Sequence, residues 1–295
     1  MITYATRQIM QVPYTAGREV PAMAVPVNAC DCHHHIYDPV RFPYVPTDVR
    51  NQPPAGVDVY RMLQKRLGLT RNVIIQPSAY GLDNRCTLDA LAQMGANARA
   101  VVVIDDTVSD EELEAMHAAG VRGVRFNIAT GGSDDLALIE RIACRIHELG
   151  WHVQFWMSAG RIAAMKSFFQ KLPCPIVFDH LAHLPQPEGS RHPAFGIVTD
   201  LMKEGRGWIK LSGFYLDSQE GYPDYGDTAK TGAAFIRACL DRCVWGSDWP
   251  HPSVFSKRKT WPDDAVMLAS LAGMGTTEED RYKILVTNPE ILYGF

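Results

Sequence analysis

A chain of 295 residues with 46% hydrophobic content carries enough apolar material for a large core, and length alone permits one domain or two. Its 29 Lys and Arg are outnumbered by 33 Asp and Glu, a net charge of -4 with no long basic run, which argues against nucleic acid and for a small-molecule partner. No apolar stretch approaches the ~20 residues that span a bilayer, and residues 1–25 lack the charged-then-apolar layout of a secretory signal, so a cytoplasmic location without membrane contact is expected.

Residues 1–25 read as a polar leader and 26–295 as a single domain. The first strand candidate, 29–36, holds Asp31-Cys32-His33-His34-His35; simple alternation points Asp31, His33 and His35 to one face and Cys32 and His34 to the other. A long segment with five prolines, 37–56, follows and is expected to be an ordered loop near a site. Further strand candidates are 72–78, 100–105, 123–128, 152–156, 175–180, 208–212 and 243–248. Between and after them lie helical patterns at 57–67, 87–94, 110–119, 135–149, 159–171, 194–203, 229–240 and 264–271, with Ser109 and Glu112 spaced as a capping box. Residues 215–228, with Tyr222 and Tyr225, form a second candidate lid.

Strands nearly continuous in apolar residues, each followed by a helix, predict an α/β fold of the (β/α)8 TIM-barrel type. Arg125, Asn127, His180, Lys210 and Asp248 all fall late in their strands, where such a barrel builds its active face. An open doubly wound sheet is the weaker alternative, because no Gly-x-Gly-x-x-Gly turn follows the first strand. Seven cysteines, an odd and scattered number, read as free thiols instead of a disulfide framework or a structural zinc site.

Two imidazoles converging from one strand and a carboxylate at the end of another suit hydrolysis, the carboxylate as general base and the imidazoles as donors to a forming oxyanion. The Asp-x-His-x-His of the first strand, Phe178-Asp179-His180, Trp245-Gly246-Ser247-Asp248-Trp249-Pro250-His251 and Thr287-Asn288-Pro289 carry a resemblance. Together with Gln76-Pro77-Ser78, Gly123-Val124-Arg125-Phe126-Asn127 and Trp208-Ile209-Lys210, they make the chain similar to the amidohydrolase superfamily from about residue 27 to 293. Within it, the chain most resembles the branch of 2-pyrone-4,6-dicarboxylate lactonase, sugar-acid lactonases and galactarolactone isomerase.

The resemblance implies a distorted barrel of the amidohydrolase type in which Asp248 takes a proton from water while His33, His35 and His180 polarise a lactone carbonyl. It also implies a carboxylate- or sulfonate-bearing lactone as substrate, such as a muconolactone, a pyrone dicarboxylate or an aldaric acid lactone. Arg125 is the candidate anchor for the anionic group, with pairing to a structural acid as the alternative. Ser78, Arg50, Lys210, Tyr80, Tyr215, Trp156 and His251 are further candidates at the binding site. Lys210 reads equally as a lysine at the barrel rim, His251 as part of a packed turn, and His183 as a loop residue.

Arg125 stands on the fourth strand where many relatives offer a bridging carboxylate, and the late fifth strand offers Gln154, Phe155 and Trp156, so no binuclear centre is expected. No cofactor is expected to be required; the alternative is one divalent metal such as zinc on His33, His35, His180 and Asp248. Competing activities on the same site are lactone isomerisation and metal-dependent decarboxylation of an aromatic acid; a non-catalytic metabolite-binding barrel is the third reading. Substrate identity and oligomeric state are not legible in the sequence.

Overall fold

Short runs rich in Val, Ile and Phe pair side by side as parallel strands because helices cover both their outward faces and the crossovers between them. The computed structural model describes residues 11–46, 52–128, 135–257 and 260–295. Eight strands follow one another around the sheet in chain order: β1 (Cys30–His34), β2 (Arg71–Ile75), β3 (Ala98–Val102), β4 (Val121–Asn127), β5 (His152–Trp156), β6 (Ile176–Phe178), β7 (Gly207–Leu211) and β8 (Cys243–Trp245). The crossovers are α1 (Val57–Leu67), α2 (Arg85–Met94), α3 (Asp110–Ala119), α4 (Leu136–His147), the pair α5 (Ala159–Ala164) and α6 (Lys166–Phe169), α7 (Pro193–Lys203), and the pair α8 (Phe214–Asp217) and α9 (Gly226–Cys239). The chain then adds α10 (Pro252–Lys257), α11 (Asp264–Gly273), α12 (Glu278–Tyr282) and α13 (Asn288–Tyr293). This is the expected (β/α)8 barrel.

Local chemistry sets several boundaries. Ser109 and Glu112 close the capping box at the start of α3, each side chain bonding the other's backbone N–H. The expected helix over 159–171 is two helices, because Met165 leaves the helical region at φ -108° and ψ 16°. β8 stops at Trp245, three residues short of expectation, so Ser247 and Asp248 lie on the loop beyond it.

That loop closes the barrel against β1. Asp248 donates its backbone N–H to His33 O at 2.8 Å, and His35 N–H reaches Trp249 O at 2.8 Å. The Asp31 carboxylate accepts from Ser247 N at 2.9 Å and Ser247 Oγ at 2.6 Å. Gly246 permits the approach, since a Cβ there would lie 2.6 Å from the His33 Cβ.

Below the site the barrel interior is filled by Cys30, Cys32, Val73, Val101, Val177 and Trp208, and α13 plugs it with Leu292 and Tyr293. Burying a side chain of Val or Leu size contributes about 1.5–3 kcal/mol, so this layer stabilises the bottom of the barrel beneath its open end. Residues 11–25 run along the outside, where Arg66 of α1 bonds Glu19 O and Ala16 O and pairs with Asp263 beside α11. All seven cysteines are free, and no helix among the described residues is long and apolar enough to cross a membrane.

Candidate active site

A break in the β1–β2 ladder decides which β1 side chains reach the site. Asp31 pairs with Asn72 but His34 pairs with Ile74, so three steps on β1 match two on β2. Such a bulge flips the alternation. Asp31 and His34 therefore both turn outward to Tyr60 of α1, Asp31 accepting its hydroxyl at 3.0 Å and His34 stacking on its ring at 3.5 Å. Cys32 stays in the barrel interior, His35 lines the pocket at the mouth, and His33 lies buried beneath it with Nε2 toward Asp248. The expected grouping of Asp31 with His33 and His35 is thus corrected: Asp31 belongs to the closing seam. Burial pushes its carboxyl up to about 6 against four hydrogen bonds that oppose the shift.

Three imidazoles converge on one carboxylate oxygen. Asp248 Oδ1 lies 3.5 Å from His33 Nε2, 3.6 Å from His35 Nε2 and 3.7 Å from His180 Nε2. Its other oxygen accepts the Tyr215 hydroxyl at 2.5 Å. Burial alone would raise the Asp248 carboxyl, but the surrounding imidazoles, His180 foremost, hold it well below the usual range, so it stays ionised. Burial lowers His180 to about 4 and His33 well below its ordinary value, the latter helped by Lys210.

The far ring nitrogens are each fixed differently. His35 Nδ1 bonds the Ile75 carbonyl at 2.8 Å, and a carbonyl only accepts, so that nitrogen carries the proton. His180 Nδ1 meets Ser212 Oγ at 2.9 Å. His33 Nδ1 faces Lys210 Nζ at 3.2 Å and Asp179 Oδ1 at 3.3 Å. Asp179 is fully buried and pairs through Oδ2 with Arg125 Nε at 3.0 Å. Burial opposes its charge, yet His33, Arg125 and Lys210 hold its carboxyl well below the ordinary value.

Above these groups opens a pocket whose wall includes Arg125, Ser78 and Trp156 beside His35, His180 and Asp248. Arg125 pairs with a buried acid, as the alternative reading expected, and its side chain also lines the pocket. The other candidates divide. Tyr215 grips Asp248 and is absent from the pocket wall. Tyr80 is buried behind the wall, its hydroxyl accepting Asp38 N–H at 2.8 Å. Lys210 is neither at the rim nor in the pocket; it is fully buried under the site. His251 turns away to Asp264 Oδ2 at 3.2 Å, and His183 pairs with Asp217 at 3.0 Å. Arg50 lies outside the described residues.

Sequence reasoning missed Asp179 as a site residue, although it precedes His180 in a quoted motif. It also missed Tyr37 and Gln52, which line the pocket from the loop after β1, and Leu216 of α8 and Ser253 of α10. Asn127 lines it too and donates to Ser78 Oγ at 2.8 Å. The proline-rich loop does contribute to the site, through Tyr37 and Gln52.

His33 Nε2 is buried without a hydrogen-bond partner, and with His35 and Asp248 it offers a donor group that suits one divalent ion, His180 Nε2 lying beside the same Asp248 oxygen. A second ion on Asp179 does not fit, because Arg125 and Lys210 already place two cations beside that carboxylate.

A sequence model described as amidohydrolase matches residues 30–295. The 2-pyrone-4,6-dicarboxylate hydrolase of Comamonas testosteroni is 33% identical over 289 residues, covering 94% of each chain. The 4-sulfomuconolactone hydrolase of Rhizobium radiobacter is 32% identical over 283 residues, again covering 94% of each. An apo crystal structure from Agrobacterium tumefaciens superposes with a TM-score of 0.86 at 31% identity, covering 96% of this chain and 98% of that one.

Proposed function

The chain belongs to the amidohydrolase family, and from that footing we propose that it is a lactonase opening the ring of a carboxylate- or sulfonate-bearing lactone. The observation that carries this reading is the ionised Asp248 at the focus of three imidazole Nε2 atoms, on the wall of a pocket that also holds Arg125. Relatives named for hydrolysis of pyrone and sulfomuconolactone rings support it, since both substrates are anionic lactones.

Asp248 takes a proton from water as the oxygen attacks the lactone carbonyl. A tetrahedral oxyanion forms, stabilised by imidazole N–H groups. The ring C–O bond then breaks, and the proton passes from Asp248 to the departing oxygen. His35 donates through Nε2 only as an imidazolium; neutral, with its Nδ1 proton donated to Ile75 O, it accepts the second hydrogen of the attacking water. Tyr215 keeps its own proton, burial and Asp248 both pushing its phenol up, and so fixes the rotamer of the base. Arg125 presents charge-assisted donors to the substrate anion. Ser78, Asn127 and Trp156 shape the rest of the recognition surface.

The reading requires no metal, because the base is already ionised and the donors are already in place. Were one ion bound by His33, His35, His180 and Asp248, it would supply Lewis-acid polarisation and a more acidic water. We take residues 26–295 to be one domain and the setting to be the cytoplasm, in keeping with seven unpaired cysteines.

The test is a panel of acidic lactones offered to chelator-treated protein, following proton release and product structure. Ring opening of at least one anionic lactone without added metal is expected. A product of unchanged mass but new ring connectivity would show intramolecular attack, hence isomerisation. Activity lost on metal removal and restored by zinc would overturn the metal-free mechanism.

A further inference from the structure

Lys210 lies on β7 with no solvent exposure, and its ammonium meets Gln154 Oε1 at 2.8 Å, His33 Nδ1 at 3.2 Å and Asp179 Oδ1 at 3.6 Å. We propose that Lys210 is a positioning residue that holds His33 in the tautomer with its proton on Nε2, so that His33 meets the lactone carbonyl as a hydrogen-bond donor. What His33 does in that tautomer rests on the lactonase reading; the tautomer itself does not.

An ammonium has donors and no acceptor, so a hydrogen bond from Lys210 requires a lone pair on His33 Nδ1. Asp179 Oδ1 competes for the same nitrogen at 3.3 Å and would draw the proton to it. That oxygen makes no hydrogen bond, whereas the Lys210 contact has hydrogen-bond geometry. Asp179 is instead engaged through its other oxygen by Arg125. With Nδ1 accepting, the neutral ring carries its hydrogen on Nε2, the buried atom that has no partner and faces Asp248 Oδ1 at 3.5 Å. His35, two residues on, is set the opposite way by the Ile75 carbonyl. One strand therefore presents an N–H and a lone pair side by side, a donor for the carbonyl oxygen and an acceptor for the water.

The experiment is nitrogen NMR of protein labelled with 15N-histidine, with His33 identified from the spectrum of His33→Gln. A protonated, pyrrole-type Nε2 and an unprotonated Nδ1 are expected in the resting protein. The reverse pattern, or an imidazolium, overturns the proposal. Lys210→Met should move the proton to Nδ1, toward Asp179, and lower kcat by roughly 10²-fold with KM little changed, the loss typical of one oxyanion donor. A variant that keeps the wild-type tautomer refutes the role of Lys210. Should that variant fail to fold, the wild-type spectrum decides alone. Because the tautomer is read without substrate, an absence of turnover on every acidic lactone would count against the lactonase reading only.

Discussion

Two arginine–aspartate pairs are buried among the described residues, and they are completed differently. Outside the barrel, Arg66 spends every nitrogen: Nε on Glu19 O at 2.9 Å, Nη1 on Ala16 O at 3.0 Å and Nη2 on Asp263 Oδ1 at 2.5 Å. Beneath the mouth, Arg125 gives Nε to Asp179 at 3.0 Å and presents its side chain to the pocket, while Asp179 Oδ1, His33 Nε2 and Gln154 Nε2 have no hydrogen-bond partner. A buried charge is tolerable only when its partners are supplied, by the protein or by something that arrives. The first network is finished by the fold and fixes chain to chain. The second is left incomplete by the fold beside the pocket that Arg125 lines.

Substitutions that separate chemistry from stability should break or sharpen this contrast. The largest effect is expected at the incomplete network's mouth: Asp248→Asn should lower kcat ~10²–10⁴-fold with the thermal transition nearly unmoved. More than a tenth of the wild-type rate would remove Asp248 as the base. At the complete network the outcome inverts. Arg66→Met leaves Asp263 without its cation and removes two hydrogen bonds to backbone carbonyls, so denaturant titration should show a loss of about 3–5 kcal/mol while kcat of the folded fraction is preserved. A loss below about 1 kcal/mol would put Arg66 with exposed pairs instead.

Arg125→Met tests whether the second arginine really reaches outward. KM for an acidic lactone should rise roughly ten- to a hundredfold, with a smaller change on a neutral one. Equal losses on both would make it a second structural clamp. The smallest effect is in the pH profile. With Asp248 held well below the ordinary carboxyl range and His180 at about 4, kcat/KM should be level from pH 7 to 5. It should fall as pH drops through about 4, where protonated His180 pairs with the base. An acid limb near pH 6 to 7 that His180→Gln removes would contradict a neutral His180 beside the ionised carboxylate.

Much of the barrel was legible because each strand is a short apolar run and each helix carries its own periodicity and caps. The site was legible to the extent that its members stand at strand ends. What the sequence hides is pairing. The β1 bulge depends on how Asp31 and His34 register against β2, so local alternation sends Asp31 to the wrong side. Tyr215 gave no hint that it would reach Asp248 across the mouth, and Lys210 reads as a rim residue until β5 and β6 are seen to bury it. Tyr37 and Gln52 come from a loop, where periodicity has nothing to say.

The seam between β1 and the loop after β8 joins groups 216 residues apart, Asp31 to Ser247, and the same closure brings the Asp248 base to His33 and His35. Contacts so distant along the chain are costly to form early in folding, because loop-closure entropy must be met before they return any stability. A chain with its seven strand pairings formed and the seam open would therefore have most of its secondary structure but not the Asp248 base beside His33 and His35. Recovery of activity after dilution from denaturant becomes a clock for that final closure, running behind the return of helical signal, and any ligand bridging Arg125 and Asp248 acts as a latch on the last joint of the barrel.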